Sequence, residues 1–251
     1  IFKVPANTPI SIQPLDKEGV AIQWMRSWIT GQPGEIVSCV GCHENQNQIP
    51  IPKRVIASQK APSSLTLPEG GQRSFTFDLE VQPILDRACI ACHTGEGKAF
   101  DLRGGKKDPK GYGTSYLNLH PYVHRQGGEG DMVVLQPYEY HPNTSELVRL
   151  LKKGHYNVKL TDKEWKTLYN WIDYNAPDKG YFNANVLKYF PYKGFDQVER
   201  RIELNNKYAG GSGVDWKKEI TEYAEYLKKQ GTITPVMPEK EVNRKEKEIK
   251  I

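Results

Sequence analysis

The chain has 251 residues, a length for one or two domains, and no run of 18 apolar residues, which excludes a membrane-spanning helix. Thirty-five basic against 30 acidic residues leave a net charge of only +5, with the signs interspersed, so no nucleic-acid footprint is indicated. Hydrophobic residues make up 37% and mean hydropathy is −0.66, a thin core for this length that calls for a cofactor, a staple or a partner.

Residues 1–23 alternate and contain Pro5, Pro9 and Pro14, which predicts short strands or extended edge segments. The start, Ile1-Phe2-Lys3-Val4, has no methionine, basic region or apolar leader, so the chain reads as a piece of a longer polypeptide or a processed one. Val20 to Thr30 has the spacing of a short helix, broken at Gln32-Pro33-Gly34. Residues 44–73 are rich in Pro and Gly and read as irregular. Apolar residues at 81, 84, 85 and 88 share one helix face, with Pro83 suited to the first turn. Residues 94–143 are loop-rich and include His120, His124 and His141. Thr144 or Ser145 caps a helix running to Lys153 and stopped by Gly154. Thr161-Asp162-Lys163-Glu164 is a capping box opening a helix with Trp165, Leu168, Trp171 and Ile172 on one side, ended by Pro177. Two further helices are expected at about 196–208 and 215–229. The end, Glu239 to Ile251, mixes five basic and four acidic residues without an aromatic and reads as a solvated linker.

The chemistry sits in the cysteines. All four fall in two copies of one pattern, Cys39-Val40-Gly41-Cys42-His43 and Cys89-Ile90-Ala91-Cys92-His93. C-x-x-C-H is the attachment signature of c-type haem. Cysteines one helical turn apart face the same way, so one haem can take two thioethers, and the adjacent histidine then supplies the proximal imidazole. Zinc ribbons space their pairs about 15–20 residues apart; here 46 residues separate Cys42 from Cys89. A thioredoxin-like redox pair needs a βαβ context that is missing, and two plain disulfides would leave both histidines unexplained. Two covalently bound haem c groups are therefore expected.

For the second haem, His155 lies six residues before the capping box, where a small cytochrome presents its distal ligand. The expectation is His93/His155 ligation, which favours low potential and a closed site. For the first haem, His43 is proximal. His141 and then His120 are the candidates to close it, against the alternatives of loop histidines bonding backbone or a propionate, or of a five-coordinate open site. Met25 is expected in the core.

With these residues in place, the chain resembles the haem-bearing region of the hydrazine synthase alpha subunit family. The resemblance runs over about residues 2–180. It rests on Phe2-Lys3-Val4-Pro5-Ala6-Asn7-Thr8-Pro9, Pro33-Gly34-Glu35 leading to Cys39–Glu44, Val81-Gln82-Pro83-Ile84-Leu85-Asp86, Leu119-His120-Pro121-Tyr122, Glu139-Tyr140-His141, Leu150 to His155, and Trp171-Ile172-Asp173. It implies a preceding β-propeller outside this chain, one unusual haem in a middle domain and one bis-histidine haem in a C-terminal domain. It also implies a tyrosine ligand four residues after the first motif histidine. That position is Asn47 here, a poor iron ligand, which leaves His43 to act as an ordinary proximal ligand.

The expected fold is mainly α: a cytochrome c-like domain with an irregular, short β N-terminal segment. The expected divisions are 1–60 with the first motif, a linker at 61–73, the cytochrome c-like domain at 74–180, helices at 181–231 and a charged tail at 232–251. The expected role is electron transfer within a larger extracytoplasmic (periplasmic or extracellular) redox protein, its partners being redox proteins or other domains of the same polypeptide. The alternative is a hydrazine synthase-like oxidoreductase whose open first haem binds a small nitrogen or oxygen species.

Overall fold

The computed structural model describes residues 1–25, 27–38, 56–71, 73–97, 99–127, 135–179, 203, 206–207 and 216–230. The first motif, Asn47, and most of the expected 196–208 helix lie outside them.

Among the described residues the regular elements are helices: α1 (Phe77–Glu80), α2 (Gln82–Ala88), α3 (Thr114–Leu119), α4 (Glu146–Lys153), α5 (Asp162–Asp173) and α6 (Trp216–Lys229). The helix expected from the apolar face at 81, 84, 85 and 88 is α2, with Pro83 in its first turn, and a separate turn, α1, precedes it across a step at Val81. Proline has no N–H to donate there and loses nothing. Ser145 stands at the start of α4, and Gly154 ends it at φ 99°, a left-handed conformation that glycine adopts without a Cβ clash. In α5 both bonds of the capping box form: Thr161 Oγ1 accepts from the Glu164 N–H, and Glu164 Oε2 accepts from the Thr161 N–H at 2.7 Å.

The core lies where α1, α2, α3, α4 and α5 converge. Trp171 and Phe77 are fully buried with ring centroids 5.3 Å apart, and Tyr116 meets Phe77 edge-on at 5.5 Å. Their polar atoms are satisfied within the core, as burial requires. Trp171 Nε1 donates to Pro177 O at 3.0 Å and the Tyr116 hydroxyl to Ala176 O at 3.0 Å.

The N-terminal segment differs from expectation at residues 20–30. No helix forms over its described part. Instead Leu15 pairs with Ala21 and Ile10 with Ile29, antiparallel, around a turn at Gly19. The physical reason is the partner available: residues 10–15 offer a backbone edge, and residue 21 is drawn onto α5. There Ala21 N–H donates to Asp173 Oδ2 at 3.0 Å and Gln13 Nε2 donates to Asp173 O at 2.7 Å. Met25 is half-buried in this segment. Residues 61–73, expected as a linker, pair at Ser63 with Ile1–Lys3 and carry the seat of α6. On that seat Tyr223 lies against Gly70, where an added Cβ would stand 2.8 Å from the ring, and its hydroxyl donates to Glu80 Oε2 at 2.9 Å.

Asp173 makes the N-terminal contact pH-sensitive. Burial raises its carboxyl to about 6, the Asp16 charge adds to this, and the Ala21 N–H opposes it. A folded value above the unfolded one means a contribution that is full below the unfolded pKa and lost as pH rises through about 6. Asp173→Asn, whose amide oxygen can keep the Ala21 bond, is expected to match wild type near pH 4 and to exceed it by on the order of 2 kcal/mol at pH 7. Urea midpoints at the two pH values measure this; a variant less stable than wild type at pH 7 would contradict it.

Candidate functional site

The second motif begins where α2 ends. Cys89 N–H still bonds Leu85 O at 2.8 Å, and Cys92 and His93 N–H groups both return to Cys89 O, so the motif winds one further turn. Cys89 is partly buried, Cys92 is exposed, and both are free. Burial pushes the Cys89 thiol up to about 11, the reverse of what a thiolate metal ligand or redox nucleophile requires. Among the described residues no group of three or more His, Cys, Asp or Glu side chains could hold a metal ion by itself.

The chain after the motif folds back on it at residues 94 and 99–102. Leu102 N–H donates to His93 O at 3.0 Å, and Thr94 pairs with Asp101. Arg103 clamps the loop: its Nε and Nη2 donate to the two Asp101 carboxylate oxygens at 2.9 and 3.0 Å, and Nη2 also to Thr94 O at 2.7 Å. From α3, Asn118 Nδ2 donates to Asp101 O at 2.7 Å. This places Phe100 O 3.1 Å from His93 Nδ1. A carbonyl can only accept, so Nδ1 carries the proton and Nε2 keeps its lone pair. Burial, with His155 nearby, lowers the His93 pKa and holds the ring neutral, the form that ligates metals.

His155 follows the Gly154 stop. The turn closes with Val158 N–H donating to His155 O at 2.9 Å. The His155 and His93 rings face each other with centroids 6.1 Å apart and planes at 41°. A metal held by two imidazole nitrogens at about 2.0–2.1 Å each sets the ring centres roughly 6 Å apart. Both histidines line an apolar cleft of about 130 Å³ that opens to solvent. Its other walls include Ile84, Leu85, Leu102, Leu119, Leu151 and Leu168; among the described residues, Tyr122, Cys89 and the two histidines are the lining side chains with N, O or S atoms. A slot with two imidazoles across it and a cysteine on its wall carries the side-chain types that would hold a haem.

The structure brings Cys89, His93 and His155 into one cleft, with Cys92 one turn on. His141 and His120 do not line it. His141 is buried; its Nδ1 accepts from the Asn143 N–H and its Nε2 faces Asp16 Oδ2 at 3.3 Å, so both nitrogens have protein partners. The His120 ring stacks on Tyr116 at 5.2 Å, and its Nδ1 is shielded from solvent without a hydrogen-bond partner. His124 bonds Thr144 Oγ1 through Nδ1 at 2.9 Å. Their expected service to the first haem turns on Cys39, Cys42 and His43, outside the described residues. Asp101, Arg103, Asn118 and the Phe100 carbonyl went unforeseen; they contact the motif only through the folded loop, and no spacing marks them.

The apolar cleft with its opposed imidazoles is the candidate site of this helical region. A family model, the hydrazine synthase alpha subunit middle domain, matches residues 1–44, a stretch that contains Cys39, Cys42 and His43. Comparison with curated proteins and with solved structures found no match. Among the described residues no helix is long and apolar enough to cross a membrane.

Proposed function

We propose that this chain is a dihaem c-type cytochrome module that carries electrons within a larger extracytoplasmic redox protein. One haem is attached through Cys39 and Cys42 with His43 as its ligand, and the other through Cys89 and Cys92 with His93 and His155. The observation that carries this reading is the 6.1 Å opposition of His93 and His155 across an apolar cleft beside Cys89. The similarity of residues 1–44 to a hydrazine synthase domain supports a redox role in a larger protein.

Haem bound here supplies a reversible one-electron iron couple whose potential its ligands set. His93 presents Nε2 because Phe100 O holds the proton on Nδ1. His155, across the cleft from His93, would be the second residue to hold the iron. The leucine walls exclude water, which limits solvent access and tunes the potential. The expected result is an intact mass above the sequence mass by two haem groups in protein made by cells that mature cytochromes c, with a pyridine haemochrome band. An unshifted mass would reject the reading.

The second reading is a hydrazine synthase-like oxidoreductase with an open first haem, favoured by the match over the first motif. Magnetic spectroscopy of the oxidised protein separates the two: two low-spin haems mean a relay, whereas one high-spin haem that binds carbon monoxide when reduced means a reactive centre.

A further inference from the structure

The turn carrying His155 is strained and projects an aromatic ring into solvent. Tyr156 and Asn157 hold φ 44° and 60°, on the other side of His155 from the left-handed Gly154 at 99°. Left-handed backbone at a non-glycine residue costs about 1–2 kcal/mol, and such strain persists where the surroundings impose it, often at functional sites. Here it presents Tyr156, 85% exposed, with its ring edge-on to His155 at a centroid separation of 4.8 Å. Tyr156 therefore spans from a cleft imidazole to the solvent. Leu150, 42% exposed, adds apolar surface on the same segment while also lining the cleft.

Along the segment that carries this aromatic the charge is one-signed. From Leu147 to Thr161 the chain carries Arg149, Lys152, Lys153 and Lys159, all exposed, and no acid. They are interleaved with the cleft-lining residues Leu150, Leu151, His155 and Leu160. Of the flanking acids, Glu164 is bound by Arg87 at 2.5 and 2.6 Å, leaving Glu146 and Asp162. Such a field steers anionic surfaces and sets docking orientation, and an exposed tyrosine serves as an interface anchor with little entropy to lose.

We propose that the Tyr156 surface is the docking site of an acidic electron-transfer protein, with the Tyr156 ring as the contact between that partner and His155. This rests on the haem reading of the cleft. The probe is flavodoxin hydroquinone, an acidic one-electron protein, reducing the oxidised full-length haem-loaded chain in a stopped-flow instrument. The wild-type rate should fall about tenfold or more between 10 and 200 mM salt, as screening removes the steering. Lys152→Glu with Lys153→Glu should lower the low-salt rate about tenfold and flatten its salt dependence, whereas Lys17→Glu with Lys60→Glu should leave both unchanged. Tyr156→Ser should slow reduction several-fold at saturating flavodoxin while keeping the six-coordinate spectrum. Equal losses from the two charge-reversed pairs, or a Tyr156→Ser rate equal to wild type, overturn the docking site. A preparation without the pyridine haemochrome band overturns instead the function on which it depends.

Discussion

On the proposed haem reading, His155→Ala is expected to convert the second haem from six- to five-coordinate, so that this haem, when reduced, gains carbon monoxide binding that it lacks in the wild type. The opposed rings explain the size of the effect. His93 is oriented by the Phe100 carbonyl and stays in place, whereas most of the other lining residues are leucines that cannot ligate. His155→Met should restore six-coordination and raise the potential by on the order of 0.1–0.2 V, a fraction of the ~0.8 V that axial ligands span. Optical spectra with and without carbon monoxide, and a redox titration, measure both substitutions. A spectrum that neither alters would reject His155 as ligand.

Trp171→Ala is expected to cost about 3–5 kcal/mol, against a total of about 5–15 kcal/mol for an ordinary domain. Trp171 is fully buried, packs on Phe77 and Tyr116, and bonds Pro177 O. The cavity would open at the junction of α1, α3 and α5, and α5 also supplies Leu168 to the cleft wall. Trp171→Phe should keep most of the packing and lose the Nε1 bond, costing less. Urea midpoints of the two variants test the ranking; equal costs would mean that the ring's bulk does not hold the core.

Much of the local structure was legible because it depends on neighbours in sequence. The Thr161 capping box, the Gly154 stop and the apolar face of α5 are short-range devices whose bonds form within a few residues. Val20 to Thr30 shows the limit. Its spacing suits a helix, but pairing with residues 10–15 and the Ala21 bond to Asp173 lie far along the chain and override local preference. The cleft divides in the same way. Cys89, Cys92 and His93 are read from one motif, and His155 from its place before a cap. The proton position on His93 comes from Phe100 O, held by Arg103, Asp101 and Asn118, contacts that exist only after the loop closes.

By itself, the sequence determined the two C-x-x-C-H patterns and the helices whose caps are local, because each depends on covalent spacing or on bonds spanning one turn. Only the tertiary structure decided that His93 and His155 face each other at 6.1 Å, that leucines from several helices and loops enclose them, and that Tyr156 stands out beside them in strained backbone. Those features depend on how α2, α4 and α5 pack, and packing is set by long-range contacts that no window of sequence contains.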